Sequence, residues 1–118
     1  MGCGLNTYTT VVPHYKAAEE GGAYPHNSYL HMAAESGLLG LGTFIWVIIT
    51  LFRTSLANFK RIRDGLYSAV FTGLLAGLSG FLAHSFVDVN IYTLQLGNLM
   101  WFIMALIIAV RKIALEND

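Results

Sequence analysis

Charge is scarce in this sequence. Asp, Glu, Lys and Arg make up 12% of it, about half the share found in an ordinary soluble domain, while hydrophobic residues make up 55%. A chain this apolar does not stay disordered. Neither sign is in excess, since seven Lys/Arg balance seven Asp/Glu. The basic residues are scattered, so there is no basic face of the kind that binds nucleic acid. Cys3 is the sole cysteine, which excludes an intrachain disulfide and a Cys-based zinc cluster. Also missing are a Walker loop, a Rossmann glycine pattern, a G-x-S-x-G elbow, an H-E-x-x-H motif and any internal repeat. These absences leave a small membrane protein or a part of a larger one.

The apolar residues come in blocks. Residues 1–36 are mixed and polar, interrupted by Gly2, Gly4, Gly21, Gly22, Pro13 and Pro25. Leu38–Phe52 is an uncharged apolar run, Leu66–Val87 a second, and Leu94–Val110 a third. The second run has 22 residues. As a helix it reaches roughly 33 Å, enough to cross the hydrocarbon core. The third, with 17, is near the lower limit, and the first, with 15, is too short alone. The first becomes long enough if its helix starts at Asn27 or Ser28, both good N-caps, just after Pro25. A soluble bundle would show a polar stripe on each helix, and Leu94–Val110 has almost none beyond Gln95 and Asn98. The expected fold is therefore all-α and membrane-integral, with spans at about 28–52, 66–87 and 94–110. Residues 1–36 form a loop segment ahead of the membrane domain 37–118.

Arg53, Lys60, Arg61 and Arg63 lie between the first two runs, and Arg111 and Lys112 follow the third. Residues 1–36 hold only Lys16. The positive-inside rule places the loop 53–65 and the tail 111–118 in the cytoplasm and the N-terminal segment on the far side. Met1–Thr10 has neither the basic nor the apolar part of a signal peptide. Translocating residues 1–36 then calls for a preceding span, and the chain is expected to be the C-terminal part of a larger polytopic bundle.

Three groups of residues have chemical potential. In Pro25-His26-Asn27-Ser28-Tyr29-Leu30-His31, a histidine able to exchange protons near neutral pH sits where a loop becomes a helix. Backbone N–H groups at such a start favour an anion. His31 and Glu35 are four apart and share a face, which reads equally as an interfacial pair. On the second run, Gly73, Gly77, Gly80, His84 and Asp88 share one face. The glycines form a G-x-x-x-G seam for close approach of another helix. His84 and Asp88 are expected to face the bundle or a wet cavity, or else simply to end the helix. Lys60-Arg61-Ile62-Arg63 reads as an orientation signal, with contact to anionic lipid heads as the alternative.

At His26-Asn27-Ser28-Tyr29-Leu30 followed by Glu35-Ser36-Gly37-Leu38-Leu39-Gly40-Leu41, the sequence resembles the O-antigen ligase/polymerase family of bacterial membrane proteins. These commonly show H-N-x-x-L and then E-x-G-L-x-G-L at the end of a large periplasmic loop. Gly2-Cys3-Gly4-Leu5-Asn6 is similar to the family's G-x-G start, and Gly80 through Asn90 to a late span. The resemblance implies glycan transfer from undecaprenyl diphosphate to a lipid or glycan acceptor in surface polysaccharide synthesis, in the bacterial inner membrane. The N-terminus would be periplasmic, and no metal or other cofactor would be needed. His26 aligns with the histidine proposed to deprotonate the acceptor hydroxyl, with Asn27 and Glu35 in support and Lys16 and His31 as weaker substrate contacts. The family's diphosphate-binding arginines and most of its spans have no counterpart here, so these three spans alone are expected to be inactive. The competing readings are a non-enzymatic membrane subunit packing through the glycine face, and a proton-coupled transporter segment using His84 and Asp88.

Overall fold

A computed structural model describes residues 2–4, 7, 10 and 26–116. Among the described residues the protein is all-helical. Helix α1 spans Ser28–Phe59, α2 spans Gly65–His84 and α3 spans Leu94–Glu116, with a short 3₁₀ turn at Asn90–Tyr92 before α3. All three α-helices are long and apolar enough to cross a membrane.

Local chemistry explains where the helices begin. The Asn27 side chain accepts hydrogen bonds from the backbone N–H groups of Tyr29 and Leu30 and so caps α1. Asp64 does the same for Leu66 and Tyr67 at the start of α2, where its negative charge also suits the helix dipole.

The helix ends differ from the hydropathy boundaries. Helix α1 runs through Arg53 to Phe59 rather than stopping at 52, and α3 runs through Arg111 and Lys112 to Glu116 rather than stopping at 110. A charged residue marks the limit of lipid but does not break a helix, and long basic side chains reach out to water from a helical backbone. Helix α2 stops at His84 rather than 87. There the Ser85 carbonyl accepts from the Ser28 N–H at 2.9 Å, so docking of the α1 start takes over from the helical ladder.

Helix α1 contains an unexpected break. Its 32 residues would extend roughly 48 Å, longer than the ~30 Å hydrocarbon core. At Gly37 the backbone leaves helical geometry, with φ 75° and ψ −179°. This conformation is open essentially to glycine alone. The break separates a short helix over 28–36 from a membrane-length helix over 38–59. His31 and Glu35 thus lie outside the long apolar helix, whose length comes from the Phe59 end.

Helix α3 packs against both α1 and α2, which meet mainly through it. Phe71 and Leu78 of α2 and Met100 and Ile107 of α3 are almost fully enclosed at the centre. Phe44 and Leu51 extend this core onto α1. The outward surface is also apolar: Leu38, Leu39, Trp46, Trp101 and Phe102 are all exposed. Exposed apolar surface of this extent is unfavourable in water and ordinary against lipid. The chain is a multi-pass membrane protein.

Gly37→Ala is expected to reduce stability by roughly 1–3 kcal/mol, because alanine resists this backbone geometry. Detergent-induced unfolding should show a lower midpoint for the variant. An unchanged midpoint would mean that residue 37 does not adopt this conformation.

Candidate functional site

Polar residues concentrate at the His26 end of the bundle. Ser28, fully enclosed, anchors the start of α1. Its N–H donates to the carbonyls of Ser85 and Asp88, and its hydroxyl donates to the Asp88 carbonyl at 2.8 Å. The same hydroxyl accepts from the Ile91 N–H at 3.4 Å. At the next residue, the Tyr29 hydroxyl donates to the Leu82 carbonyl at 2.7 Å, and its ring lies 4.5 Å from that of Phe86. Two residues of α1 thereby lock it to the end of α2.

His26 is exposed immediately before this anchored start. Asn27 acts on the backbone of α1 as its cap. The N–H groups of residues 28, 29, 30 and 31 are all engaged: with Ser85 and Asp88, with the Asn27 side chain twice, and with the Asn27 carbonyl. An anion held by free N–H groups at this helix start, as the motif alone had led us to expect, is therefore not accommodated. What remains is an accessible imidazole on a fixed backbone.

His31 and Glu35 are brought together and enclosed. His31 Nε2 lies 3.2 Å from Glu35 Oε1, and the two residues are 5% and 3% exposed, which keeps both from the surface. The imidazole stacks on the Tyr92 ring, with centroids 3.9 Å apart and planes 10° from parallel. The His31 ring, expected as a weaker substrate contact, is covered by Tyr92. Burial first, and then the negative charge of Glu35, push the Tyr92 phenol up to about 12.

The Gly37 break brings in a second segment. A non-helical residue there takes the carbonyls just before it out of the helical ladder. The Cys3 N–H donates to the Ala34 carbonyl at 2.8 Å, and the Gly4 N–H donates to the Glu35 carbonyl at 3.0 Å. Gly2 lies so close that a Cβ on it would run into the backbone of Glu35 and Gly37. The G-x-G and E-x-G sequences thus form one joint.

The remaining expected residues lie apart from this cluster. Gly73, Gly77 and Gly80 are exposed, and a Cβ added to any of them would meet nothing within 4 Å. Among the described residues no helix packs against these glycines. His84 Nε2 and Asp88 Oδ2 are 3.7 Å apart, with side chains 60% and 50% exposed, so within this chain they point outward and not into the three-helix core. The Asp88 carboxylate accepts from the Val89 N–H, as a turn residue does. Lys16 lies outside the described residues. Among the described residues no three His, Cys, Asp or Glu side chains are grouped to hold a metal ion.

Tyr92 and the Gly2–Gly37 contact were not anticipated from sequence. The turn at Asn90–Tyr92 brings the Tyr92 ring over His31.

The raised Tyr92 pKa has a direct consequence. A phenol that holds its proton more tightly in the folded state stabilises that state fully below about pH 10, and the contribution is lost as pH rises through about 12. Phenolate titration in detergent should show a late ionisation near pH 12 that Tyr92→Phe removes and Glu35→Gln moves downward. A titration that neither variant alters would contradict the placement of Tyr92.

No family model matches the chain, and no curated protein or solved structure is significantly similar to it.

Proposed function

We propose that the chain is the C-terminal part of an O-antigen ligase/polymerase-like glycosyltransferase, with His26 as the general base. The observation that carries this reading is the placement of His26. It is exposed, beside a helix start fixed by Asn27 and Ser28, at one end of a three-helix membrane bundle. A base must meet its hydroxyl within hydrogen-bond reach, and an accessible imidazole on an anchored backbone meets that requirement. An apolar cleft of about 390 Å³ among Tyr29, Phe44, Ile48, Leu82 and Phe86 lies next to that end and suits a lipid-borne substrate.

In this reading His26 accepts the proton of an acceptor hydroxyl as its oxygen attacks the anomeric carbon of the donor glycan. The new carbon–oxygen bond forms as the bond to the diphosphate breaks. Undecaprenyl diphosphate leaves with the electron pair, and His26 passes its proton to water. Positive charge is required on the departing diphosphate. The four arginines, Arg53, Arg61, Arg63 and Arg111, lie toward the other end of the helices, so that charge is assigned to further spans of a larger bundle. The open Gly73–Gly77–Gly80 face is where such a span would pack. The protein would reside in the bacterial inner membrane, with His26 facing the periplasm and the C-terminus in the cytoplasm.

The same open face supports a second reading, a non-enzymatic membrane subunit that binds through the glycines. Transfer of lipid-linked glycan, assayed in membranes holding the complete protein, separates the two. His26→Ala is expected to lower transfer by roughly 10²–10⁴-fold with expression retained. Undiminished transfer by His26→Ala, together with loss of a complex in Gly77→Leu, would replace the enzyme by the subunit.

A further inference from the structure

We propose that the joint at the Gly37 break positions His26, with Gly2, Glu35 and Tyr92 as its positioning residues. The proposal rests on the reading of His26 as the base and extends it to what holds that base in place.

The short helix over residues 28–36 carries His26 at its start and is separated from the long helix by the non-helical backbone of Gly37. A break of this kind leaves the direction of the short helix to be set by other contacts. Three groups of contacts set it. Ser28 and Tyr29 bind the end of α2 and the turn that follows it. His31, paired with Glu35, stacks on Tyr92. At the far end, the carbonyls of Ala34 and Glu35 accept from the N–H groups of Cys3 and Gly4. The backbone of Gly2 is seated on Glu35 and Gly37, where no side chain fits.

Glu35 is the common member. Its carboxylate meets His31, its carbonyl holds Gly4, and its backbone forms the floor under Gly2. Its buried side chain is thereby committed to structure, which assigns it to positioning rather than to contact with substrate. The segment 2–4 acts as a strap across the break. With the strap displaced, the short helix keeps its α2 contacts and loses its hold at the Gly37 end. The short helix then pivots about those contacts, and the imidazole, which lies just beyond the pivot, departs from the attack geometry, in which errors of about 1 Å cost roughly 10²-fold in rate.

Cys3, exposed and the only cysteine in the sequence, reports directly on the strap. A spin label on Cys3 is measured in the membrane-embedded protein, alongside glycan transfer by the complete transferase. Gly2→Ala is the test variant, and Gly42→Ala, where an added Cβ meets nothing, is the control. The expected result for Gly2→Ala is a more mobile label and a kcat lower by roughly 10²-fold with KM for the lipid-linked donor unchanged. Gly42→Ala changes neither. Tyr92→Leu, which removes the stacked ring without adding bulk at the break, gives the same split between kcat and KM. A label that stays immobile in Gly2→Ala overturns the strap. A freed label with unaltered kcat overturns the positioning role. Transfer that survives His26→Ala defeats the catalytic reading separately, and the label still decides whether the strap exists.

Discussion

Where α1 breaks at Gly37, the carbonyls of Ala34 and Glu35 find new donors in the N–H groups of Cys3 and Gly4. Near a membrane such replacement is compulsory, because a backbone group without a partner or water costs several kcal/mol. Once these carbonyls are held, the short helix is free to take a direction of its own. Ser28 then reaches the turn after α2, and His31 comes to lie under Tyr92. Without the break, His31 and Glu35 would continue the axis of the long apolar helix, away from the turn that covers them.

The rest of the molecule is divided by polarity along its length. The middle of the bundle is apolar within and without, packed around Phe71, Leu78, Met100 and Ile107 and faced with Trp46 and Trp101. One end holds the basic connection 60–64, and the other holds the buried hydrogen bonds and His26. Low-dielectric surroundings make each of those polar contacts stronger and each omission costlier. A rigid polar cap on an apolar bundle is a suitable place for chemistry on a substrate whose anchor is in lipid and whose reactive part is in water.

Much of this was legible in the sequence, for physical reasons that can be named. Three apolar runs separated by charges translate directly into three helices, since hydropathy and helix length are both local properties. The Asn27 cap and the pairing of His31 with Glu35 are equally local. Helix ends were less legible, because Arg53, Arg111 and Lys112 are compatible with helix and only mark where lipid stops. The joint between residues 2–4 and 34–37 was not legible. It joins distant glycines through backbone atoms, and no periodicity or charge pattern records such a contact. Tyr92 was hidden in the same way. The glycine stripe on α2 was plain in sequence, yet its spacing does not name what packs there, and the three helices leave it open. The catalytic role proposed for His26 rests on motif resemblance joined to its accessible place beside an anchored helix start.

Everything functional requires His26 to lie on the side of the membrane opposite the basic connection between α1 and α2. Scanning with a membrane-impermeant maleimide tests this most directly, using single replacements His26→Cys and Arg61→Cys in a Cys3→Ser background. The account predicts that the His26→Cys protein is labelled on intact cells whose outer barrier alone has been opened, and that the Arg61→Cys protein is labelled only after the membrane itself is permeabilised. The reverse pattern, or labelling of both from the same side, would contradict it.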